Sequence, residues 1–246
     1  MNGIYWEDII IMAILDSKVG HIKSRISKDR VVLKTMYPFK KGELADEVEI
    51  NLYLEGSNRV IKKELPYGGY NMHLFLGDFL GSGRDCILVK GRFQGSGGIA
   101  ILLLYEYDNG EIREITNQWE ISARNKAIIR YLPNYKVEVS YGAKEKYIVD
   151  LSSKDKSYLN LIYDEKGNVK LKINPGISDI NTYYEIKELG SNKYDFLIRQ
   201  NIIGIVLVDV IGIIQSRVVF NINGNFVIKD RELIISKDRN LNNTHN

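Results

Sequence analysis

Residues 74–89 read Leu-Phe-Leu-Gly-Asp-Phe-Leu-Gly-Ser-Gly-Arg-Asp-Cys-Ile-Leu-Val. An acidic turn punctuated by glycines, from Asp78 to Asp85, leads into an apolar run at 87–89. Gly81 and Gly83 tolerate a positive φ, and the Asp78 carboxylate can accept backbone N–H bonds in an Asx-turn. The stretch therefore predicts a tight loop followed by a buried strand.

The rest of the chain carries the same kind of signal. Proline occurs four times, and 21 glycines separate short runs rich in Ile, Val and Tyr, which predicts an all-β fold. Turn residues at 108–110 and 223–224 predict exposed hairpin tips. Further strand pairs are predicted for 48–54 with 60–65, 136–140 with 146–150, 161–163 with 169–173, and 218–222 with 226–229. The only helix predicted is a short one at 154–160, begun by Ser152 or Ser153.

A faint internal repeat is also present. A turn-like segment leads into an apolar strand at Asp8, at Asp85 and at Tyr194. The last two strands follow similar tetrapeptides, Gly-Ser-Gly-Arg at 81–84 and Gly-Ser-Asn-Lys at 190–193. Short strands in a degenerate repeat indicate a β-propeller-like array. At roughly 40 to 50 residues per blade, 246 residues allow about five blades. We expect one domain over 1–236 and a flexible polar tail at 237–246.

Residues 77–89 resemble the FG-GAP repeat, also called the VCBS repeat, in which an Asp-x-Asp/Asn-x-Asp-Gly-x-x-Asp loop precedes an apolar strand. Stretches similar to VCBS-repeat proteins of spore-forming bacteria follow in order at 95–98, 134–139 and 147–159, so that the resemblance spans roughly residues 45–230. It implies a propeller-like β-fold used for binding or surface roles, usually without catalysis.

The resemblance also assigns calcium-ligand positions to this loop. Asp78 fills the first position, and Arg84 offers a backbone carbonyl at the seventh. Leu80, Ser82 and Cys86 stand where the family has acids or amides, and Ca²⁺ needs six to eight oxygen ligands. A soft thiol does not suit a hard cation. The loop is therefore predicted to be vestigial and metal-free, its remnants being Asp78, Ser82, Arg84 and Asp85.

The later copy departs further from the family pattern. Lys187, Leu189 and Ser191 occupy its first, third and fifth positions, and only Asp195 keeps an acid at the ninth. The N-terminal copy begins mid-repeat. No cofactor is expected at any of the three.

Composition narrows the functional classes. The net charge of +3 comes from scattered Lys and Arg residues, so a nucleic-acid-binding stripe is not expected. The most apolar run, 202–214, is interrupted by Gly204, Asp209 and Gly212 and is shorter than the roughly 20 residues of a membrane span, so it is interpreted as buried strands. The first residues lack the basic region of a secretory signal. A cytoplasmic location is expected, with spore association as a further expectation from the relatives.

Catalytic patterns are weak. The single cysteine, Cys86, is interpreted as a buried hydrophobe, and the three histidines are isolated, which excludes a Cys/His zinc cluster. The carboxylate pairs Glu111/Glu114 and Glu185/Glu188 could act as hydrolase acids, but nothing fixes their separation. The leading hypothesis is a non-catalytic interaction or structural module with a protein or glycan partner. The alternative is a lectin-like module that binds carbohydrate through loop tyrosines, namely Tyr67, Tyr70, Tyr183 and Tyr184.

Overall fold

The computed structural model describes residues 12–36, 44–95, 98–172, 174–187 and 190–235. These ranges contain sixteen strands and two short helices. Every pair of neighbouring strands in the sheets is antiparallel. The prediction of an all-β fold with short helices is confirmed.

The strands form four sheets, which we number I to IV in chain order. Sheet I runs β1 (Ala13–Gly20), β2 (Asp29–Thr35), β4 (Val48–Tyr53), β5 (Val60–Glu64). Sheet II runs β3 (Leu44–Ala45), β6 (Gly69–Gly77), β7 (Cys86–Arg92), β8 (Ala100–Asp108), β9 (Glu111–Asn117). Sheet III runs β10 (Ile128–Leu132), β11 (Lys136–Tyr141), β12 (Glu145–Asp150). Sheet IV runs β13 (Gly176–Lys187), β14 (Tyr194–Ile203), β15 (Val210–Phe220), β16 (Phe226–Ile234). Helices α1 (Gln118–Arg124) and α2 (Lys156–Ile162) flank sheet III in the chain.

Three apolar clusters join the sheets and show which sheets pack against each other. The first joins sheets I and II through residues such as Leu33 and Val89. The second joins sheets II and IV, and Phe196 lies at its centre with both Leu88 and Phe220 in the same cluster. The third joins sheets IV and III and includes α2. Phe196 and Ile198 of the second cluster and Ile202 of the third alternate along β14, so sheets II and III both pack on the same face of sheet IV, at different positions along it. The order of contacts among the described sheets is therefore I–II–IV–III, although sheet III precedes sheet IV in the chain.

Asn125 connects the two halves of the chain through a buried polar network. It caps the C-terminus of α1 and is fully buried. Its Nδ2 donates to Gln200 Oε1 (2.7 Å) and to Ser216 Oγ (3.1 Å), and its Oδ1 accepts from Arg231 Nε (2.8 Å). Arg231 also donates to Glu145 on sheet III (2.8 Å). One amide thus satisfies polar groups on three strands of sheet IV.

The predicted hairpin turns at 108–110 and 223–224 are confirmed. Asn109 and Gly110 connect β8 to β9 with φ of 47° and 93°, and Gly224 lies in the turn from β15 to β16 with φ of 81°. Positive φ at these positions matches what Asn and Gly tolerate. The pairings of β4 with β5 and of β11 with β12 also have the predicted partners.

The predicted short helix is present, but its bounds, its N-cap and a neighbouring strand prediction are wrong. The helix near 154–160 is α2, two residues later, with Asp155 rather than Ser152 or Ser153 at the N-cap. Residues 161–162 belong to this helix instead of a strand, because Leu159 and Ile162 share the face that is buried in the third cluster, and only Tyr163 pairs with Val169 in an isolated bridge.

Helix α1 was not predicted at all. Its N-cap Asn117 accepts from the backbone N–H of Trp119 and of Glu120, which is a recognisable start signal. The repeat copy at Asp8, Leu189, part of the glycine connector at 95–98 and the tail at 237–246 lie outside the described residues.

Candidate interaction surface

The loop after β6 is organised by the Asp78 side chain. Asp78 Oδ1 accepts from the backbone N–H of Gly81 (2.7 Å) and Ser82 (3.0 Å), and Oδ2 accepts from that of Gly83 (2.7 Å). Gly81 and Gly83 have φ of 73° and 77°, as the sequence indicated. Both carboxylate oxygens therefore stabilise the loop from within.

The other remnants of the loop hold it against its neighbours. Asp85 Oδ2 accepts from the backbone N–H of His21 (2.8 Å), and Arg84 Nη1 donates to the Tyr107 carbonyl (3.2 Å). Ser82 Oγ accepts from the backbone N–H of Arg84 (3.1 Å). Asp78, Ser82, Arg84 and Asp85 therefore each make bonds that stabilise the loop or hold it against its neighbours.

Two positions that the resemblance assigns as calcium ligands face the apolar interior. Leu80 and Cys86 are 5% and 2% exposed and belong to the cluster between sheets II and IV. Burial raises the pKa of the Cys86 thiol to about 12. The interpretation of Cys86 as a buried hydrophobe is confirmed, and a carboxylate at either position would have to be placed in a core.

The later loop lies beside the first. Asp78 and Lys193 form an isolated parallel bridge, and the backbone N–H of Tyr194 donates to the Asp78 carbonyl (2.7 Å). Asp195, to which the resemblance assigns the ninth position of this loop, is 5% exposed and accepts from Arg217 Nη2 (2.6 Å). The two loops thus contact each other through the backbone.

We predict that millimolar calcium leaves the melting temperature unchanged, because a ligand stabilises a protein only through its affinity for the folded state. Among the described residues no three His, Cys, Asp or Glu side chains are grouped as metal ligands. Scanning calorimetry with calcium and with EDTA measures the melting temperature. In the control variant Asp78→Ala, calcium should likewise leave the melting temperature unchanged. A calcium site tighter than about 10⁻⁴ M by titration calorimetry would contradict the prediction.

The four candidate tyrosines have different environments. Tyr183 is buried, its hydroxyl donates to the Ile101 carbonyl (2.8 Å), and burial raises its pKa. Tyr67 is half-buried against the first cluster, and its hydroxyl accepts from Gln118 Nε2 (2.6 Å). Tyr70 is half-buried in β6. Tyr184 is 46% exposed, with the Arg199 guanidinium 5.5 Å from its ring centroid.

The candidate acids lie in different environments. Glu185 forms an ion pair with Lys90 (2.6 Å), and Glu188 lies outside the described residues. Glu111 and Glu114 are exposed on β9.

An exposed apolar surface lies at the turn between β14 and β15. Residues 206–208, Val-Leu-Val, are 56%, 72% and 71% exposed, and Val210 beyond them is 41% exposed. Ile205 points inward and packs on the third cluster. We call residues 206–208 the hairpin tip.

The turn that presents the hairpin tip is held by Asp209. Asp209 Oδ2 accepts from the backbone N–H of Ile205 (2.8 Å) and from the Tyr158 hydroxyl on α2 (2.7 Å). A Cβ at Gly204 would lie 2.1 Å from the same oxygen, so any other residue there would displace the Asp209 carboxylate. The hairpin tip is therefore fixed to the body of the protein.

A groove of about 340 Å³ runs beside the hairpin tip. Leu207 and Val208 form one wall, and Ile177 and Ile203 contribute apolar surface opposite. The polar side chains that line it are uncharged, namely Ser178, Asn181 and Asn201.

This surface corrects the interpretation of 202–214 as buried strands. Ile202 and Ile214 are indeed buried, but the residues between Gly204 and Asp209 form an exposed turn. The spacing of Gly204 and Asp209 was the available signal for a turn. An apolar run does not by itself distinguish exposed from buried residues.

Neither helix in the described ranges has the length and apolarity needed to cross a bilayer.

Residues 125–234, from the C-cap of α1 through sheets III and IV, match the YybI C-terminal domain family. The uncharacterized protein YybI of Bacillus subtilis (strain 168) is 32% identical over 167 residues, which are 68% of this chain. The chain spans 63% of the length of that relative. No solved structure matches. The hairpin tip and its groove thus lie within the region that the family match covers.

Proposed function

We propose that this protein is a non-catalytic interaction module that docks through the hairpin tip. The observation that carries the proposal is the exposure of three consecutive aliphatic side chains on a turn fixed by Asp209. Contiguous exposed apolar surface is typical of an interaction site, whereas scattered exposed residues are normal. Aliphatic surface favours an apolar partner over a glycan.

The body that carries the hairpin tip is proposed to be propeller-like, with degenerate calcium loops of the FG-GAP type. Four small antiparallel sheets joined by apolar clusters support this form, and two of them, sheets I and IV, have the four strands of a propeller blade. Closure of a ring would require contact between sheets I and III. Low-resolution solution scattering would distinguish a ring from an open stack by the maximum dimension of the particle.

The carbohydrate-binding alternative is supported by one observation, the exposed ring of Tyr184. The Arg199 guanidinium over this ring leaves less of it for a sugar. A glycan array probed with the intact protein and with Tyr184→Ala tests the alternative. Binding that is lost in the variant would favour it.

The docking proposal predicts that capture of material from a bacterial lysate depends on Leu207. Leu207→Asp places a charge on the hairpin tip and should abolish saturable capture, because a desolvated charge opposes burial of the tip. Ile26→Asp is the matched control, since Ile26 is 86% exposed on a separate loop. Equal capture by intact protein and both variants would contradict docking through the tip.

A further inference from the structure

A polar cleft of about 190 Å³ lies where the second cluster ends, between sheet II and strand β13 of sheet IV. His73, Lys90 and Arg92 line it from sheet II, and Asn181 and Thr182 line it from β13. Among the described residues that line the cleft, none is acidic. The cleft therefore combines basic side chains with neutral hydrogen-bonding groups.

The strand register places the three basic side chains on one face of sheet II. His73 lies opposite Lys90, and Arg92 lies opposite Ala100, whose side chain belongs to the second cluster. Residues that lie opposite each other in an antiparallel pair project to the same face, as do alternate residues of one strand. The three side chains therefore face sheet IV, at the point where its apolar contact with sheet II gives way to the cleft.

The positive charges at the cleft are only partly balanced. Lys90 forms an ion pair with Glu185 (2.6 Å), and its Nζ lies 5.2 Å from the ring centroid of Tyr183. Arg92 is exposed and has no acidic partner in the part of the chain that the structure describes. Because a guanidinium presents its donors as a planar fork, Arg92 can bind two oxygens of one anion.

Two β-bulges meet at the cleft, one from each sheet. In β6 the register with β7 shifts around Asn71, which has a φ of 52°. In β13 the register with β14 shifts around Asn181. Bulges are over-represented next to functional sites, where they re-aim a side chain. Asn71 and Asn181 both line the cleft, so each bulge contributes a residue to it.

From the unbalanced charge of Arg92, the groups around it and the size of the cleft, we infer that the cleft binds a phosphate group, either as inorganic phosphate or as a small phosphomonoester. Arg92 provides the fork, and Asn71 and Thr182 offer further donors. A carboxylate has only two oxygens and would leave part of this set unused. Sites for drug-sized ligands measure roughly 300–1,000 Å³, so this cleft is suited to a smaller ligand. The inference does not depend on docking through the hairpin tip.

Isothermal titration calorimetry of the full chain with inorganic phosphate, at constant ionic strength, measures this binding. We expect one site with a dissociation constant of about 1 mM or lower. Arg92→Gln should weaken binding at least about tenfold, because charge-assisted hydrogen bonds from a guanidinium are strong. Arg59→Gln is the matched control, since Arg59 is an exposed arginine in the turn between β4 and β5, and it should bind phosphate as the intact protein does. Circular dichroism should show all three proteins folded, since both arginines are exposed.

Two further titrations define the ligand. Acetate should bind at least about tenfold more weakly than phosphate, because it offers fewer oxygens to the donors. Glycerol 3-phosphate separates the two forms of the ligand: tighter binding than that of inorganic phosphate identifies an ester, and weaker binding identifies the free ion.

Absence of phosphate binding, equal binding by Arg92→Gln, or acetate binding as tight as that of phosphate would overturn the inference. Leu207→Asp should bind phosphate as the intact protein does, and a loss in this variant would place the phosphate outside the cleft and also overturn the inference. Failure of phosphate binding would leave docking through the hairpin tip unaffected, because the lysate capture that tests docking depends on Leu207 and not on Arg92.

Discussion

Replacement of Phe196 by alanine is expected to lower the free energy of unfolding by about 3–5 kcal/mol. Phe196 is fully buried at the contact between sheets II and IV. Its ring centroid lies 4.5 Å from that of Phe79, 5.6 Å from that of Tyr183 and 5.9 Å from that of Phe220. Removal of the ring leaves a cavity among large aromatic side chains that cannot close around it easily, so the cost should be near the upper end.

Urea denaturation followed by circular dichroism measures this change. Tyr184→Ala is the control, because Tyr184 is also an aromatic residue of sheet IV but is 46% exposed. Apart from the lower strand propensity of alanine, this substitution should lower the free energy of unfolding by less than about 1 kcal/mol. A loss below about 1.5 kcal/mol for Phe196→Ala would show that sheets II and IV are not packed as described.

The second large effect is expected for Asn125→Ala, which should lower the free energy of unfolding by about 3 kcal/mol. The substitution removes the acceptor for Arg231 Nε and the donor to Gln200 and Ser216. Because Gln200 and Ser216 are 1% and 0% exposed, water cannot replace the lost partner without rearrangement. Unsatisfied buried groups cost about 1–3 kcal/mol each.

Asn117→Ala provides the comparison for this prediction. Asn117 also terminates α1, at its other end, and its loss as an N-cap should cost about 1 kcal/mol. If the two alanine variants were equally stable, the buried network would contribute nothing beyond an ordinary helix cap.

Local features of this fold could be predicted from the sequence. The turn at Asn109 and Gly110 and the loop at Asp78 depend on φ preferences and on bonds within a few residues, which the sequence displays directly. The packing of sheets II and III on the same face of sheet IV could not be predicted, because it depends on which apolar faces match, and all four sheets have apolar faces.

The interaction surface could be predicted only in part. Residues 206–208 have the composition of a buried strand, and their exposure follows from Asp209 binding Tyr158, a residue 51 positions earlier in the chain. Tyr183 and Tyr184 are adjacent in sequence but lie on opposite faces of β13, so one is buried and the other exposed. The strand register that decides between them is a property of the whole sheet.

The order of contacts between sheets also affects synthesis of the chain on the ribosome. Sheet II is complete at Asn117, but the cluster that covers its apolar face around Leu88 and Leu104 is complete only when Phe226 has been added. At about 5–20 residues per second, the ribosome needs roughly 5–20 s to reach that point. During this interval sheet III emerges without being able to cover sheet II, since the two do not share an apolar cluster in the described structure. Nascent chains of intermediate length are therefore the species most exposed to aggregation, and they are the ones that a holding chaperone would have to protect.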